Sequence, residues 1–160
     1  MASNHFNAAG HPHMVDVSDK PPTRRRATAR CQVRVSDAAL RVIREGSGHK
    51  GDVLAIARLA GIQATKQTAQ LIPLCHPITL DHVSVDVEAA DDPSRVEIVV
   101  TTGCTGRTGV EMEAMTAAAA AGLTVYDMVK SVDRSASIGP VELTSKDGGK
   151  SGPWTRPNPG

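Results

Sequence analysis

The sequence predicts an α+β domain in which helices cover one face of an antiparallel sheet. Three observations predict it: short segments alternate apolar with polar residues, longer segments repeat apolar residues every three or four positions, and the segments follow the order strand, helices, strand, strand, helix, strand. That order is typical of the split βαβ arrangement of ferredoxin-like folds. A chain of 160 residues holds one such domain with a real core and has no room for a second.

The first predicted elements are a strand and a short helix. Apolar and polar side chains alternate over residues 28 to 35, which indicates a half-buried strand. Ser36 or Asp37 then caps a helix, since a short polar side chain can accept a hydrogen bond from the first turn. Gly46 and Gly48 end that helix, because glycine readily adopts the left-handed conformation common after a last turn.

The middle of the chain predicts a helix followed by a hairpin. Apolar side chains recur at helical spacing over residues 51 to 71, and Pro73 ends this helix because proline lacks the N–H that a continuing helix needs. Two alternating segments follow, residues 83 to 87 and 96 to 100. The polar turn at residues 91 to 94 joins them as an antiparallel hairpin.

The last predicted elements are a long helix over about residues 109 to 132 and a short strand over residues 141 to 144. The sheet face that the helices leave open must find cover or be polar. Residues 1 to 13 and 153 to 160 are rich in polar residues, glycine and proline, so we expect disordered tails there. The domain then spans residues 14 to 152.

Composition excludes several classes of function. The formal net charge of +1 argues against a nucleic-acid binder, which needs a basic excess for its phosphate contacts. No apolar run approaches the roughly 20 residues of a membrane span. The three widely spaced cysteines, Cys31, Cys75 and Cys104, predict neither a disulfide framework nor a zinc site. We therefore expect a protein of the reducing cytoplasm.

Two glutamates begin the long helix. Glu111 follows Thr108 by three positions, the spacing of a capping box, so Glu111 is either a helix cap or a site acid. Glu113 lies two positions further on, roughly 200° around the helix, and lacks that structural explanation. A substrate that spans the first turn could meet both carboxylates.

Asp127 and Lys130 lie near the far end of the same helix, three positions apart and hence on one face. An isolated pair of this kind is ordinarily a surface ion pair. Glu113 and Asp127 are 14 positions apart, which at ~1.5 Å per residue separates them by about 20 Å along a continuous helix. If both ends are catalytic, each pocket combines one end from one subunit with the other end from a second subunit.

Loops supply the remaining candidates. Lys50 precedes the second helix and His76 follows it. A loop lysine is ordinarily a solvated charge, and a lone histidine is ordinarily structural. A further set of cations is either a solvated basic arm or a triphosphate site, since charge-assisted bonds to phosphate are strong. The members of this set are Lys20, Arg24, Arg25, Arg26, Lys146 and Lys150.

Several long segments carry these candidates, namely residues 14–20, 50–52, 71–77, 105–113, 126–130 and 146–152. In unbroken order over residues 14 to 152, they closely resemble the cyclic pyranopterin monophosphate synthase family of molybdenum cofactor biosynthesis. Matching blocks of this length are far more specific than any short motif.

The resemblance implies a lyase that converts a 3',8-cyclised dihydroguanosine triphosphate to cyclic pyranopterin monophosphate and releases pyrophosphate. It also implies a homo-oligomer of α+β subunits with active sites at subunit interfaces, and the expected form is a hexamer built as a trimer of dimers. A dilute monomer would then be inactive. The sequence contains no evident metal-ligand set, so we expect no cofactor, and magnesium stays open as a companion of the triphosphate.

The resemblance also implies roles for single residues. The expected catalytic set is Lys50, His76, Glu111, Asp127 and Lys130. The expected substrate contacts are Leu74, Cys75, His76, Met112 and Glu113, with Lys20, Arg25 and Lys146 on the phosphates. Arg24 and Arg26 remain without a role. A neighbouring carboxylate keeps a lysine charged as an acid and burial frees it as a base, so which lysine takes which role is open.

Two other classes of function stay open. A non-catalytic ferredoxin-like module that senses a nucleotide or pterin would need the pocket and the phosphate contacts but no paired acid-base lysines. Charges that only hold subunits together would need no pocket. Pyrophosphate release would indicate the enzyme, binding without turnover the module, and no binding the structural role.

Overall fold

The structure, a computed structural model, describes residues 5–7, 9–46 and 51–157. Helices and strands follow the predicted order, with one short helix and one short strand added. The elements are β1 (Thr23–Arg34), α1 (Asp37–Glu45), α2 (Val53–Thr65), α3 (Thr68–Leu71), β2 (His82–Ala90), β3 (Arg95–Gly106), α4 (Glu111–Val129), β4 (Ser137–Asp147) and β5 (Trp154–Thr155).

The strands form one five-stranded sheet in the order β2-β3-β1-β4-β5, and every pairing is antiparallel. The predicted α+β class and antiparallel sheet are therefore confirmed. The predicted hairpin is β2 with β3, which pair from His82 opposite Gly103 to Ala90 opposite Arg95. Two predicted caps of α1 are also present, since Ser36 accepts a hydrogen bond from the first turn and Gly46 is left-handed. Gly48, the other glycine predicted to end α1, lies outside the residues that the structure describes.

The core lies between the sheet and α4. Alternate residues of β1 from Ala27 to Val33 are buried, and α4 meets them with an alanine-rich face. Small side chains let the helix approach the strands closely. A Cβ added at Gly122 would lie 3.1 Å from the Cys31 sulfur, so this glycine fixes the distance between α4 and β1.

The sheet face away from the helices is polar. The sequence leaves two possibilities for this face, namely that it is covered or that it is polar. Arg30 and Glu142 form an ion pair there with 2.7 Å between nitrogen and oxygen. The hydroxyl oxygens of Thr28 and Thr101 are 3.1 Å apart. Val99 is an exposed apolar exception on this face.

The predicted capping box at Thr108 to Glu111 is wrong. Val110 occupies the N-cap position without a side-chain hydrogen bond, and α4 begins at Glu111. The Glu111 carboxylate contacts the Lys146 ammonium at 3.0 Å, so an ion pair between α4 and β4 is present instead of the cap.

Two other elements differ in extent from the prediction. α2 ends at Thr65, because the hydroxyls of Thr65 and Thr68 donate to carbonyls of the preceding turn, a pattern that bends helices. β4 is longer than predicted. Two register shifts against β1 interrupt the alternation of its side chains, so only its middle shows a strand pattern.

Described parts of both predicted tails form backbone pairings, and the expectation of disorder for the tails stays a prediction. β5 pairs with the outer edge of β4, and the Arg156 N–H donates to the Thr144 carbonyl at 2.8 Å. An unpaired strand edge offers the N–H and C=O groups that such a segment needs. At the other end, Phe6 pairs with Pro12 in an isolated antiparallel bridge.

Candidate active site

Two adjoining cavities open at the N-terminal end of α4. The first, which we call the cationic compartment, has a volume of about 570 Å³ and lies among β1, β4 and the turn before α4. The charged residues that line it are Lys20, Arg25, Arg26, Arg107, Glu111, Lys146, Asp147 and Lys150.

The second cavity, which we call the apolar compartment, has a volume of about 790 Å³. It has Lys20, Thr108, Gly109 and Glu111 in common with the cationic compartment, so the two adjoin at the turn before α4. Its other lining residues are His5, Phe6, Val15, Ile72, Leu74, Cys75, His76 and Met112.

The pleat of the sheet explains why Arg25 and Lys146 enter the cationic compartment. Arg25 shares the helix-covered face of β1 with Ala27 and lies opposite the buried Cys104. On β4, a bulge leaves Thr144 unpaired, so Lys146 lies opposite Ala27 and faces the helix side. Without this bulge, the alternation would turn Lys146 to the polar face.

Backbone groups hold the Arg25 guanidinium in place. Its nitrogens donate to the carbonyls of Gly106 and Arg107 at 3.4 and 3.5 Å. Gly149 lies against it with φ of +77°, and a Cβ at that position would overlap the guanidinium. The glycine is therefore needed both for its own conformation and for the close approach of Arg25.

Charge makes the cationic compartment suitable for a polyanion. Its lining has six cationic side chains and two carboxylates, those of Glu111 and Asp147. The Glu111 carboxylate is already paired with Lys146 and complements the positive end of the α4 dipole. The surplus of lysine and arginine favours phosphate groups, which accept several charge-assisted hydrogen bonds.

His76, in the apolar compartment, is fixed by the segment that precedes β1. Its Nε2 lies 2.8 Å from the carbonyl oxygen of Val15. Because a carbonyl oxygen can only accept, the hydrogen lies on Nε2, and the neutral ring offers Nδ1 as an acceptor. His76 can therefore take up a proton at Nδ1 while Val15 keeps the ring in place.

Glu113 lies beneath the apolar compartment rather than on its surface. It is 2 % exposed, and its Oε1 accepts a hydrogen bond from the Cys75 thiol at 3.8 Å. Its Oε2 has no hydrogen-bond partner among the residues described. Burial raises the pKa of Glu113. Burial and then the charge of Glu113 raise the pKa of Cys75 to about 11, so this thiol is protonated at neutral pH.

Two predicted catalytic residues, Asp127 and Lys130, are not brought to these compartments. Asp127 and Lys130 form an exposed ion pair at the far end of α4, with 2.6 Å between nitrogen and oxygen. The hydrogen bond to Asp127 raises the pKa of Lys130. α4 is continuous from Glu113 to Asp127, so the expected separation of about 20 Å applies. Lys50 lies outside the residues that the structure describes.

Apart from Glu113, the other described residues that were predicted for the site do meet. Leu74, Cys75, His76, Glu111 and Met112 line the apolar compartment, and Lys20, Arg25 and Lys146 line the cationic one. Of the two arginines without a role, Arg26 also lines the cationic compartment. Arg24 lines a third cavity of about 640 Å³ beside His82, which has Arg25, Arg26 and Asp147 in common with the cationic compartment.

Sequence reasoning missed several lining residues, and four of them are instructive. Arg107 has a usable signal, because it is a cation between Gly106 and Gly109 in a loop. Val15 contributes a backbone carbonyl, for which its side chain gives no signal. His5 and Phe6 were missed because their segment reads as a tail.

A family model described as the MoaC family matches residues 14–149. The match covers both strands and the helix that form the cationic compartment, and residues 5–7 and 9–13 precede it. Within the described part of the chain, no helix is long and apolar enough to cross a membrane. The same residues contain no group of three or more potential metal ligands. The expected independence from metal stays a prediction.

Proposed function

Because this chain belongs to the MoaC family, the family of cyclic pyranopterin monophosphate synthase, we propose that it converts (8S)-3',8-cyclo-7,8-dihydroguanosine 5'-triphosphate to cyclic pyranopterin monophosphate and pyrophosphate. Family membership gives the chain a role in molybdenum cofactor biosynthesis, and the family is generally one of enzymes. The proposed reaction is that of a phosphorus-oxygen lyase.

The adjacency of the two compartments is the observation that carries this proposal. A nucleotide triphosphate has a flat ring system at one end and a polyanion at the other. The apolar compartment suits the ring system, and the cationic compartment suits the triphosphate. Glu111 and Lys20 line both and so would lie near the ribose-derived part.

The cations have a direct role in the phosphate chemistry. A substrate hydroxyl gives its proton to a base while its oxygen bonds to the α-phosphorus. The bond from that phosphorus to the bridging oxygen breaks, and pyrophosphate departs with the electron pair. Lys20, Arg25 and Lys146 stabilise the charge that develops on the leaving group. Magnesium would act beside them if it accompanies the triphosphate.

Opening of the purine-derived ring and its closure as a pterin require proton transfers. His76 offers Nδ1 as a proton acceptor beside the ring system. Lys50 and Lys130 are the proposed acid-base lysines, and Glu111 and Asp127 orient substrate and lysines. Cys75 contacts the substrate as a neutral thiol, since its pKa of about 11 keeps it protonated.

The length of α4 leads to a proposal about assembly. Asp127 and Lys130 lie about 20 Å along the helix from the compartments of their own chain, which is too far for one small substrate. We propose that they serve the compartments of a neighbouring copy in a homo-oligomer, with a hexamer as the expected form. The three free cysteines accord with the proposed cytoplasmic location.

The test is incubation of the purified protein with the cyclic nucleotide triphosphate, with pyrophosphate and the pterin product measured together. The proposal predicts equal amounts of both products. Substrate binding without pyrophosphate would instead support the non-catalytic sensor. A mixture of Lys130→Ala and Lys146→Ala proteins, dissociated and reassembled, should regain activity if each site combines two copies, and its persistent inactivity would contradict shared sites.

A further inference from the structure

The first described residues form a small hairpin, which we call the N-terminal hairpin and which comprises residues 5–7 and 9–13. Phe6 pairs with Pro12, and the His13 N–H donates to the His5 carbonyl at 2.9 Å. The Asn7 N–H donates to the His11 carbonyl at 3.0 Å. These bonds give the segment a defined conformation although it precedes the sheet.

Asn7 and Gly10 specify the turn of this hairpin. The Asn7 side-chain oxygen accepts hydrogen bonds from the N–H groups of Ala9 and His11 at 3.0 and 2.9 Å. The Gly10 N–H donates to the Asn7 carbonyl at 2.9 Å, and Gly10 has φ of +78°, which glycine adopts without strain. Asparagine commonly organises turns through bonds of this kind.

The hairpin places Phe6 in the wall of the apolar compartment. Phe6 lines this cavity with Leu74, His76 and Met112, and the Val15 carbonyl just beyond the hairpin holds His76. Phe6 is 56 % exposed, so much of its ring is not covered by protein. Among the described residues that line the compartment it is the sole benzene ring.

We propose that Phe6 contacts the substrate by stacking on its purine-derived ring system, and that the N-terminal hairpin positions it to do so. This inference rests on the proposed function. A half-exposed aromatic ring in the wall of this cavity gains little from its own fold. A flat heteroaromatic ligand would cover it on the face that the protein leaves open.

Stacking sets the size of the expected effect. Loss of one aromatic partner of a nucleobase typically weakens binding by about 5- to 150-fold. Because Phe6 lies on a short terminal hairpin, we expect the lower part of that range, about 5- to 20-fold in KM and in Kd. The Phe6 ring cannot transfer protons, so its loss should change kcat less than KM.

The test compares Phe6→Ala, Phe6→Leu and Phe6→Tyr with Trp154→Ala, an exposed aromatic outside both compartments. KM for the cyclic nucleotide triphosphate and its Kd by calorimetry are measured for each protein. The Tm of each variant is measured as well, so that only variants as stable as the wild type are compared. Phe6→Ala and Phe6→Leu should raise both constants by about 5- to 20-fold, and Phe6→Tyr and Trp154→Ala should stay within about twofold. Asn7→Ala should raise them similarly and add little to Phe6→Ala.

The outcomes separate this inference from the proposed function. Normal turnover with unchanged KM and Kd in Phe6→Ala would overturn the inference alone. A Phe6→Leu protein equal to wild type would overturn stacking, because leucine retains apolar cover without an aromatic face. If the wild type binds the triphosphate without turnover, the proposed function fails and the Kd comparison still decides the role of Phe6. If the wild type does not bind it, both fail.

Discussion

Gly149→Ala should weaken phosphate binding through Arg25, and Gly152→Ala is its matched control. Both glycines have positive φ, +77° and +65°. A side chain at either position therefore incurs the left-handed penalty of roughly 1 to 2 kcal/mol in stability. The two differ in their surroundings, because a Cβ at Gly149 overlaps the Arg25 guanidinium and a Cβ at Gly152 meets nothing within 4 Å.

The overlap must displace Arg25 from the Gly106 and Arg107 carbonyls that hold it. A displaced Arg25 would no longer donate its hydrogen bond to a substrate phosphate. A hydrogen bond to a charged group contributes about 1.5 to 3 kcal/mol, which corresponds to roughly 10- to 150-fold in affinity. We expect KM for the triphosphate to rise by at least tenfold in Gly149→Ala and by less than twofold in Gly152→Ala.

Pyrophosphate release gives the KM values, and thermal unfolding confirms that both variants lose stability to a similar extent. Inorganic triphosphate as a competing ligand isolates the phosphate end, since it has no ring system to occupy the apolar compartment. Equal KM values for the two variants would refute the idea that Gly149 is required for the placement of Arg25.

Three further predictions concern single side chains. Glu113→Gln should gain stability relative to wild type as pH rises above 4.5, because the raised pKa of the buried Glu113 means that its ionisation opposes folding. Urea unfolding at pH 4.5 and 8 measures the free energy of unfolding of both proteins. A difference between the two proteins that is the same at both pH values would contradict this prediction. Cys75 should react with iodoacetamide only slowly at pH 8 and faster above pH 10, in line with its pKa of about 11, and rapid alkylation at pH 8 in the folded protein would refute this assignment. Lys130→Ala should lose about 10²- to 10⁴-fold in kcat with unchanged Tm, whereas the exposed Lys66→Ala should match wild type; near-normal turnover in Lys130→Ala would remove this lysine from the mechanism.

Local patterns predicted most of the architecture. Alternation identified β1 and the β2–β3 hairpin, because one face of each strand is buried and the other is not. Ser36 and Gly46 identified the ends of α1, because cap chemistry acts within a few residues. The predicted capping box at the start of α4 was wrong because the partner of Glu111 is distant in the sequence. Glu111 contacts Lys146, which no local pattern relates to it.

The candidate site depends more on register than on residue type. Lys146 enters the cationic compartment only because a bulge at Thr144 reverses the side-chain alternation of β4, and no residue in the sequence marks that bulge. The burial of Glu113 and its contact with Cys75 likewise follow from tertiary packing. Family resemblance supplied the residue roles, and all of these roles stay predictions. Asp127 and Lys130 also lie far from the compartments of their own chain.

A crystal structure of Lys130→Ala protein with the cyclic nucleotide triphosphate bound tests most directly whether the two compartments form one substrate site. The phosphates should contact Arg25 and Lys146, and the ring system should lie against Leu74 and Met112. A ligand bound instead in the cavity beside Arg24 and His82, with both compartments empty, would contradict the account.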